Sequence, residues 1–183
     1  MTEVLPDVVD AVGRIKTAGG QEGSCVLVRR GDVRVLLTAE HVLDRDNGWA
    51  WVALAGVVRR VTQSAFKRDV KHDLAGMSVS WRGRALHVAA AVERYEEIAV
   101  VSYPGLDPSV PVAVTGLVQG AFSNETLFAG YSDPGSSGGA VADSDGNLVG
   151  IVSGSPICDG RKSNAVFYSP TLKQITDFVE GLI

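Results

Sequence analysis

Short apolar runs alternate with turn residues along almost the whole chain of 183 residues. The runs are rich in valine, and Gly, Asp or Asn separates them, as at Arg30-Gly31-Asp32 and Asp143-Ser144-Asp145-Gly146. Runs of this kind, bounded by turn signals, are typical of the strands of an all-β sandwich or barrel. The predicted strands are residues 11–17, 24–30, 33–38, 49–55, 57–63, 74–80, 85–91, 98–102, 112–119, 125–130, 139–142, 147–153 and 164–168.

The number of predicted strands bears on the domain organisation. About a dozen strands exceed what one small barrel needs, so the pattern predicts two barrels. We expect the first barrel within residues 1–97 and the second within residues 98–183. Residues 103–108, which include two prolines and a glycine, are expected to form a turn or link near the start of the second barrel.

Helical signals are confined to the two ends of the chain. Near the C-terminus we expect Ser169 to be the N-cap of a helix and Pro170 to occupy its first position. One face of this helix carries an apolar stripe, which predicts packing against the core: Leu172, Ile175, Phe178, Val179 and Leu182. A weaker helix is predicted over residues 2–12.

Composition and charge narrow the class of protein. A hydrophobic fraction of 45% and a charged fraction of 21% are those of a globular protein with a substantial core. The formal net charge of −4 gives no strong attraction for nucleic acid, so no nucleic-acid partner is expected. No apolar run approaches the ~20 residues that a membrane span needs, and no signal peptide is visible at the N-terminus.

The two cysteines, Cys25 and Cys158, lie far apart in the sequence and do not make a disulfide framework. Free thiols are the expectation, and free thiols are typical of a reducing compartment. The sequence therefore favours a cytoplasmic location. The chain is also compatible with a piece excised from a larger protein.

One glycine-rich stretch, Gly135-Ser136-Ser137-Gly138-Gly139, points to a nucleophilic serine. Glycines let the backbone bend tightly around Ser137, where a Cβ would block the approach of a substrate. The backbone amides of Gly135 and Ser137 would then point together at a developing oxyanion. Because Gly/Ser clusters are more often ordinary loops, this interpretation depends on a base and an acid elsewhere in the chain.

Three histidines are available as the base, and His41 stands out because it follows a predicted strand directly. A strand end gives a base the rigid mount that hydrogen bonding to a nucleophile needs. Asp73, which opens the apolar strand at residues 74–80, is the best candidate for the acid that orients His41. Asp69 is its rival, although a solvated role fits it better. Asp44 and Asp46 have the character of turn residues.

Together, these residues resemble the chymotrypsin-like serine peptidases. The resemblance rests on three ordered motifs, Leu37-Thr38-Ala39-Glu40-His41-Val42-Leu43, His72-Asp73-Leu74-Ala75 and Pro134-Gly135-Ser136-Ser137-Gly138-Gly139-Ala140, with Gly150-Ile151-Val152-Ser153-Gly154 downstream. It implies an all-β fold of two six-stranded antiparallel β-barrels with a C-terminal helix. It also implies a serine endopeptidase that needs no cofactor, with a polypeptide substrate bound in an extended conformation.

Within that family, the short chain resembles two compact types, the HtrA catalytic core and the polyprotein proteases of small RNA viruses of the sobemovirus kind. The viral type is slightly favoured and implies the host cytoplasm; a cellular HtrA-like peptidase is the alternative. The residue before the nucleophile is Ser136, where the digestive enzymes carry an aspartate. The ion pair that activates those zymogens therefore cannot form here, and the loop around Ser137 must be held in another way.

The resemblance also implies a substrate-binding region. Its pocket is expected to be built from Tyr131, Ser132 and Asp133 on one side and from Val152–Ser155 on the other. Ser153 and Gly154 are expected to hold the substrate by main-chain hydrogen bonds. Tyr131 stands where Lys- and Arg-selective relatives carry an aspartate, and Val152 stands where Glu- and Gln-selective relatives carry a histidine. An uncharged residue before the scissile bond is therefore predicted.

Two other classes of protein need to be considered. A trypsin-fold interaction module without catalysis would have the same strand pattern, and labelling of Ser137 by a phosphonate would distinguish it from an enzyme. An α/β-hydrolase would match Gly135-x-Ser137-x-Gly139, but its histidine follows the serine and no histidine follows Ser137. No metal site is expected, because no ligand cluster surrounds His72 or His87.

Overall fold

A computed structural model describes residues 3–45, 48–105, 109–158 and 160–183 of the chain, with only the backbone of Cys158. Asp46 and residues 106–108 of the predicted link lie outside the described residues. The first half of the chain forms a helix and a series of short strands: α1 (Leu5–Ala11), β1 (Val12–Thr17), β2 (Glu22–Arg30), β3 (Val33–Ala39), β4 (Trp49–Leu54), β5 (Val57–Thr62), β6 (Lys67–Asp69), β7 (Leu74–Val79) and β8 (Leu86–His87).

The second half of the chain forms a second series of strands and a C-terminal helix. These are β9 (Glu97–Ser102), β10 (Val112–Phe122), β11 (Glu125–Ala129), β12 (Ala140–Ala142), β13 (Leu148–Ile151), β14 (Ile157–Cys158), β15 (Arg161–Lys162), β16 (Val166–Pro170) and α2 (Leu172–Glu180). Neither helix in the described part of the chain is long and apolar enough to cross a membrane.

Two curled antiparallel sheets form half-barrels, which confirms the predicted all-β fold with a C-terminal helix. The first sheet has the strand order β5-β4-β1-β2-β3-β7-β6, and the short strand β8 pairs with β2 in parallel. The second sheet has the order β13-β12-β9-β10-β11-β16, and β14 and β15 form a separate hairpin. The first sheet thus has more than the six predicted strands because it includes two very short ones. Strand β6, of three residues, pairs with β7, and β8, of two residues, pairs with β2.

Three apolar cores hold the sheets together. The first half-barrel encloses one core, which includes Ile15, Leu27 and the free thiol of Cys25, whose pKa burial raises to about 12. The second half-barrel encloses another, in which the rings of Phe128 and Phe167 stack with centroids 5.5 Å apart. A third core lies between the sheets and both helices: Val8, Val26, Leu37, Leu74, Val101, Ile151, Ile175 and Val179 among others. This shared core fixes one half-barrel against the other.

The C-terminal helix begins later than the sequence pattern predicts. Val166–Pro170 pairs with Glu125–Ala129, so Pro170 ends a strand at the sheet edge instead of opening the helix. Thr171 is the N-cap, because its side chain accepts from the Gln174 amide and the Gln174 side chain accepts from the Thr171 amide. Ser169 is buried and has a different role, since its hydroxyl accepts from the Ile151 amide at 2.9 Å.

Replacing Thr171 with Ala should lower the free energy of unfolding by about 1 kcal/mol, because the capping box loses its side-chain acceptor. Urea unfolding followed by circular dichroism measures the change. Thr176→Ala on the same helix is the matched control, since the Thr176 hydroxyl only back-bonds to the Leu172 carbonyl at 2.9 Å. Equal stability of the Thr171→Ala variant and the wild type would contradict the assignment of the cap.

Candidate active site

His41 is mounted at the end of a buried strand of the first sheet. Strand β3 ends at Ala39, and His41 sits in the short 3-10 turn Glu40–Val42 that follows. Ala39 and Val42 are buried on either side, while the imidazole is half exposed at the surface. The backbone at this point is held because the Glu40 amide donates to the Asp73 carbonyl at 3.2 Å. The buried neighbours therefore fix the backbone of His41 and leave its imidazole ring accessible.

Asp73 lies in the turn between β6 and β7 and contacts His41 directly. Both carboxylate oxygens are 2.9 Å from His41 Nδ1, and one of them also accepts from the His41 amide at 3.0 Å. The Ser153 hydroxyl donates to the other oxygen. Asp73 adopts a left-handed conformation with φ of 52°, which turns its side chain toward His41. Asp69 contacts His72 instead, with 2.7 Å between Oδ2 and Nδ1.

Ser137 completes a continuous line of hydrogen bonds across the seam between the sheets. Its Oγ lies 2.9 Å from His41 Nε2 and 3.4 Å from the Ser153 carbonyl. Asp73 and His41 come from the first sheet, whereas Ser137 comes from the loop before β12 in the second. A carboxylate, an imidazole and a hydroxyl in this order can move a proton away from the hydroxyl oxygen.

The electrostatics of the pair favour a charged imidazole beside a charged carboxylate. The hydrogen bond to Asp73 raises the pKa of His41 above its ordinary value, although desolvation and the positive charge of Lys162 oppose the shift. Partial burial by itself would raise the pKa of Asp73, but the hydrogen bonds from His41 and Ser153 outweigh it and hold that pKa below its usual range. An imidazolium that forms at His41 is therefore stabilised in place.

Two backbone amides near Ser137, those of Gly135 and Ser137, have no acceptor among the described residues. The Pro134 carbonyl accepts from the Gly105 amide at 2.7 Å, and the Ser136 carbonyl accepts from the Gly139 amide at 2.9 Å. Because N–H and C=O point in opposite directions in a trans peptide, these two bonds fix the directions of both free amides. Two fixed donors beside a nucleophile are what a developing oxyanion requires.

Glycine is needed at two positions of this loop. Gly135 has φ of 93°, and an added Cβ would lie 2.6 Å from the Tyr103 carbonyl oxygen. Gly138 has φ of 87°, and an added Cβ would lie 2.0 Å from the Ser24 carbonyl oxygen. Both distances are far inside van der Waals contact, so any side chain would push the loop away from its neighbours.

The predicted substrate-binding residues lie on two segments around the nucleophile. Tyr131 Oη donates to the Asp133 carboxylate at 2.9 Å, and Ser132 is buried with its Oγ 3.3 Å from that of Ser155. The Val152 side chain packs in the second core, so only its backbone faces the loop, and its carbonyl accepts from the Gly138 amide at 2.7 Å.

Ser153 and Gly154 are already partly engaged by the neighbouring strand. The Ser153 amide donates to the Tyr168 carbonyl at 3.0 Å, and the Tyr168 amide donates to the Gly154 carbonyl at 2.6 Å. The Ser153 carbonyl and the Ser155 amide have no backbone partner among the described residues, and the Ser155 amide points away from Tyr168 because the Gly154 carbonyl of the same peptide faces it. These groups form an open edge next to Ser137.

A cleft of about 640 Å³ lies on the other side of His41 and is lined by Ala18, Gly19, Gln21, His41, Leu43, Asp44, Arg45 and Gly48. Asp44 braces its wall, because the carboxylate accepts from Thr17 Oγ1 and from the Gly19 amide, both at 2.8 Å. Asp44 therefore holds two loops together, a larger role than the turn position predicted for it. The cleft is large enough for several residues of an extended peptide that passes Ser137.

The remaining histidines are engaged elsewhere. His72 is paired with Asp69, and Nε2 of His87 accepts from Arg29 Nε at 2.7 Å. Over the part of the chain that the structure describes, no three His, Cys, Asp or Glu side chains cluster as metal ligands do.

The match to a family model decides the family. Residues 23–151 match the model described as Trypsin-like peptidase domain, and this range includes His41, Asp73 and Ser137. The chain belongs to the trypsin-like peptidase family. This confirms the resemblance to chymotrypsin-like serine peptidases, while the sobemovirus-like type stays a prediction. Among curated proteins, no sequence matches this trypsin-like peptidase.

Solved structures of bacterial proteases share the fold of this trypsin-like peptidase. The Rv3671c protease from M. tuberculosis in its active form superposes with a TM-score of 0.82 and 18% identity, over 98% of this chain and 83% of that one. The HtrA-type protease AlgW with a tripeptide gives a TM-score of 0.80 and 20% identity, over 100% of this chain and 63% of that one. The serine endoprotease from Yersinia pestis gives a TM-score of 0.78 and 18% identity, over 100% of this chain and 66% of that one. The chain thus spans less than two thirds of the latter two.

The contact between His41 and Asp73 predicts a measurable titration. In ¹H–¹⁵N NMR spectra the pKa of His41 should lie above the ordinary value for histidine, because the Asp73 carboxylate stabilises the protonated ring. Asp73→Asn should lower that pKa, since the variant removes the negative charge and keeps the shape of the side chain. The signals of His87, which contacts Arg29, serve as the internal reference. A His41 pKa that does not change in Asp73→Asn would contradict the role of this contact.

Proposed function

We propose that this chain is a serine endopeptidase in which Ser137 is the nucleophile, His41 the general base and Asp73 the residue that orients His41. The observation that carries the proposal is the unbroken line of hydrogen bonds from Asp73 through His41 to Ser137, with 2.9 Å at each junction. A trypsin-like peptidase fold and a pair of free amides beside the serine support it.

In the first half of the reaction, Ser137 Oγ attacks the carbonyl carbon of the scissile peptide bond while His41 Nε2 takes the hydroxyl proton. The carbonyl oxygen becomes an oxyanion and accepts from the amides of Gly135 and Ser137. Removing one such donor typically costs about 3 kcal/mol of transition-state stabilisation. The C–N bond then breaks, and His41 returns its proton to the leaving amine. An acyl ester on Ser137 remains.

In the second half, a water molecule loses a proton to His41 Nε2 and attacks the ester carbonyl. The second oxyanion is held by the same two amides. When the C–O bond to Ser137 breaks, the proton returns from His41 to Ser137 Oγ and the carboxylic product leaves. Asp73 keeps its negative charge throughout and stabilises the imidazolium in both halves, as its lowered pKa favours.

An extended polypeptide fits the open edge at residues 153–155. The Ser153 carbonyl and the Ser155 amide are free to pair with a substrate main chain, as an added strand pairs with a sheet edge. This refines the prediction from sequence, in which Ser153 and Gly154 carried the contact. Residues beyond the scissile bond would occupy the cleft beside His41.

The pocket region supports an uncharged residue before the scissile bond. Ser132 and Ser155 offer hydroxyl groups, and the Asp133 carboxylate is already bonded to Tyr131 Oη. The alternative of a trypsin-fold interaction module without catalysis fits less well, because nothing in it requires the aligned hydrogen bonds. Processing of a viral polyprotein in host cytoplasm, or an HtrA-like role in a cell, stays a prediction from the sequence.

A fluorophosphonate probe tests the proposed nucleophile. Wild-type protein should be labelled covalently on Ser137, and Ser137→Ala should abolish labelling and lower peptide hydrolysis by about 10⁶-fold. Mass spectrometry of the labelled peptide identifies the residue. Ser136→Ala is the neighbouring control and should still be labelled on Ser137. Folded wild-type protein that resists the probe would favour the interaction module over the enzyme.

A peptide library with every residue at the position before the scissile bond tests the pocket. Uncharged residues should be cleaved most efficiently, because Asp133, the one carboxylate among the predicted pocket residues, already accepts from Tyr131 Oη. Cleavage sites are read by mass spectrometry. A dominant preference for Lys, Arg or Glu would show that the pocket is built from other residues.

A further inference from the structure

Ser24 belongs to strand β2 of the first sheet, but its polar groups contact the loop that carries Ser137 in the second. The residue is fully buried. Its amide donates to the Ser137 carbonyl at 2.7 Å, and its hydroxyl donates to the Gly135 carbonyl at 2.8 Å. The same hydroxyl oxygen accepts from the Tyr103 amide at 2.8 Å. One side chain thus ties β2 to both the end of β9 and the nucleophile loop.

The bond to the Gly135 carbonyl acts on the peptide group that lies between the two free amides. A change in ψ of Gly135 that φ of Ser136 does not compensate would alter the angle between the amides of Gly135 and Ser137, so that they would no longer converge. Gly135 has more backbone freedom than a residue with a side chain, because it has no Cβ, and it adopts φ of 93°. One edge of this peptide is held because the Ser136 amide donates to the Asp133 carbonyl at 2.8 Å, and the Ser24 hydroxyl holds the other edge through the Gly135 carbonyl.

The other contacts of the loop are also neutral. Ser136 is fully buried, and its hydroxyl accepts from Ser102 Oγ at 3.1 Å and from the Asp133 amide at 3.2 Å. No charged side chain takes part in these bonds. Among the described residues, the loop of this chain, which has serine in place of the aspartate of the digestive enzymes, is thus held by hydroxyl and backbone groups.

Ser24 is further braced from its own sheet. Its carbonyl accepts from Thr38 Oγ1 at 2.8 Å, and Thr38 lies in β3, the strand that leads to His41. The same carbonyl lies so close to Gly138 that no residue with a side chain fits at position 138. The strand that positions His41 and the loop that positions Ser137 therefore share one contact point.

We propose that Ser24 is a positioning residue that holds the oxyanion-binding loop in its competent conformation, in place of an activating ion pair. This inference rests on the proposed peptidase function. It predicts that the two half-barrels, once packed, present the two amides without any charged switch, and that loss of the Ser24 hydroxyl impairs reaction at Ser137 more than binding.

The rate of inactivation by a fluorophosphonate probe tests the positioning role of Ser24, because the phosphoryl oxygen of the probe would accept from the same two amides as the carbonyl oxygen of a substrate. In Ser24→Ala the maximal rate of inactivation should fall by about 10- to 100-fold, below the effect of deleting a donor, while the half-saturating probe concentration changes little. Ser24→Thr, which keeps the hydroxyl, should restore most of the rate.

Ser169→Ala is the matched control. Ser169 is equally buried, and its hydroxyl likewise accepts from one amide, that of Ile151, and donates to one carbonyl, that of Pro170 at 2.8 Å. This variant loses the same atoms without touching the loop, so its inactivation rate should stay close to that of the wild type. If Ser24→Ala does not fold, Ser24→Cys is used in its place, because cysteine has a similar volume and a weaker hydrogen-bond donor.

Amide hydrogen exchange of residues 133–139 gives a second readout that does not need activity. Exchange in this segment should be faster in Ser24→Ala than in Ser169→Ala. A wild-type rate of inactivation and unchanged exchange in Ser24→Ala would overturn the positioning role and leave the peptidase proposal intact. Unreactive wild-type protein would overturn the peptidase proposal, and the exchange data would then decide whether Ser24 orders the loop.

Discussion

The packing of two half-barrels around a shared apolar core is the constraint on which the rest of the structure depends. His41 and Asp73 are carried by the first sheet and Ser137 by the second, so their contacts exist only while the sheets stay in one relative position. The apolar core between the sheets and both helices supplies that position, and it includes Leu37, just before His41, and Ala140, just after Ser137. The packing of apolar side chains in this core thus determines the distance between His41 and Ser137.

Close backbone contact turns this packing into a defined site. The Ser24 carbonyl and the position of Gly138 are so near that no side chain fits between β2 and the loop. The Ser24 amide and the Ser137 carbonyl then pair at 2.7 Å across the same contact. Because buried backbone groups must be hydrogen-bonded, the apolar core and the polar seam support the same arrangement of the two sheets.

The site combines a charged part with a neutral part. Asp73 and His41 form the charged pair, in which each partner shifts the pKa of the other in the direction of ionisation. The loop around Ser137 is held by Ser24, Ser136 and Ser102 through uncharged hydroxyl groups. This arrangement would let His41 take up and release a proton beside the charged Asp73 while the amides of Gly135 and Ser137 keep their geometry.

Much of the fold was predictable because its signals are local. Apolar runs between turn residues indicated most strands, and the glycine-rich loop, the strand end at His41 and the strand start at Asp73 each had a sequence signal. Weak local signals failed: β6, β14 and β15 are too short to show a pattern. Pro170, a helix opener by propensity, ends a strand because pairing with Glu125 at the sheet edge outweighs that preference.

By itself, the sequence determined the two-sheet all-β architecture and the residue types of the candidate site. The tertiary structure decided which polar groups meet, because those contacts depend on sheet packing and not on neighbours in the chain. Ser153 contacts Asp73 from 80 residues away, and Ser24 contacts Gly135 from 111 residues away. A serine within a valine-rich strand has no local signal for such a role, since its partner is brought to it only when the half-barrels pack.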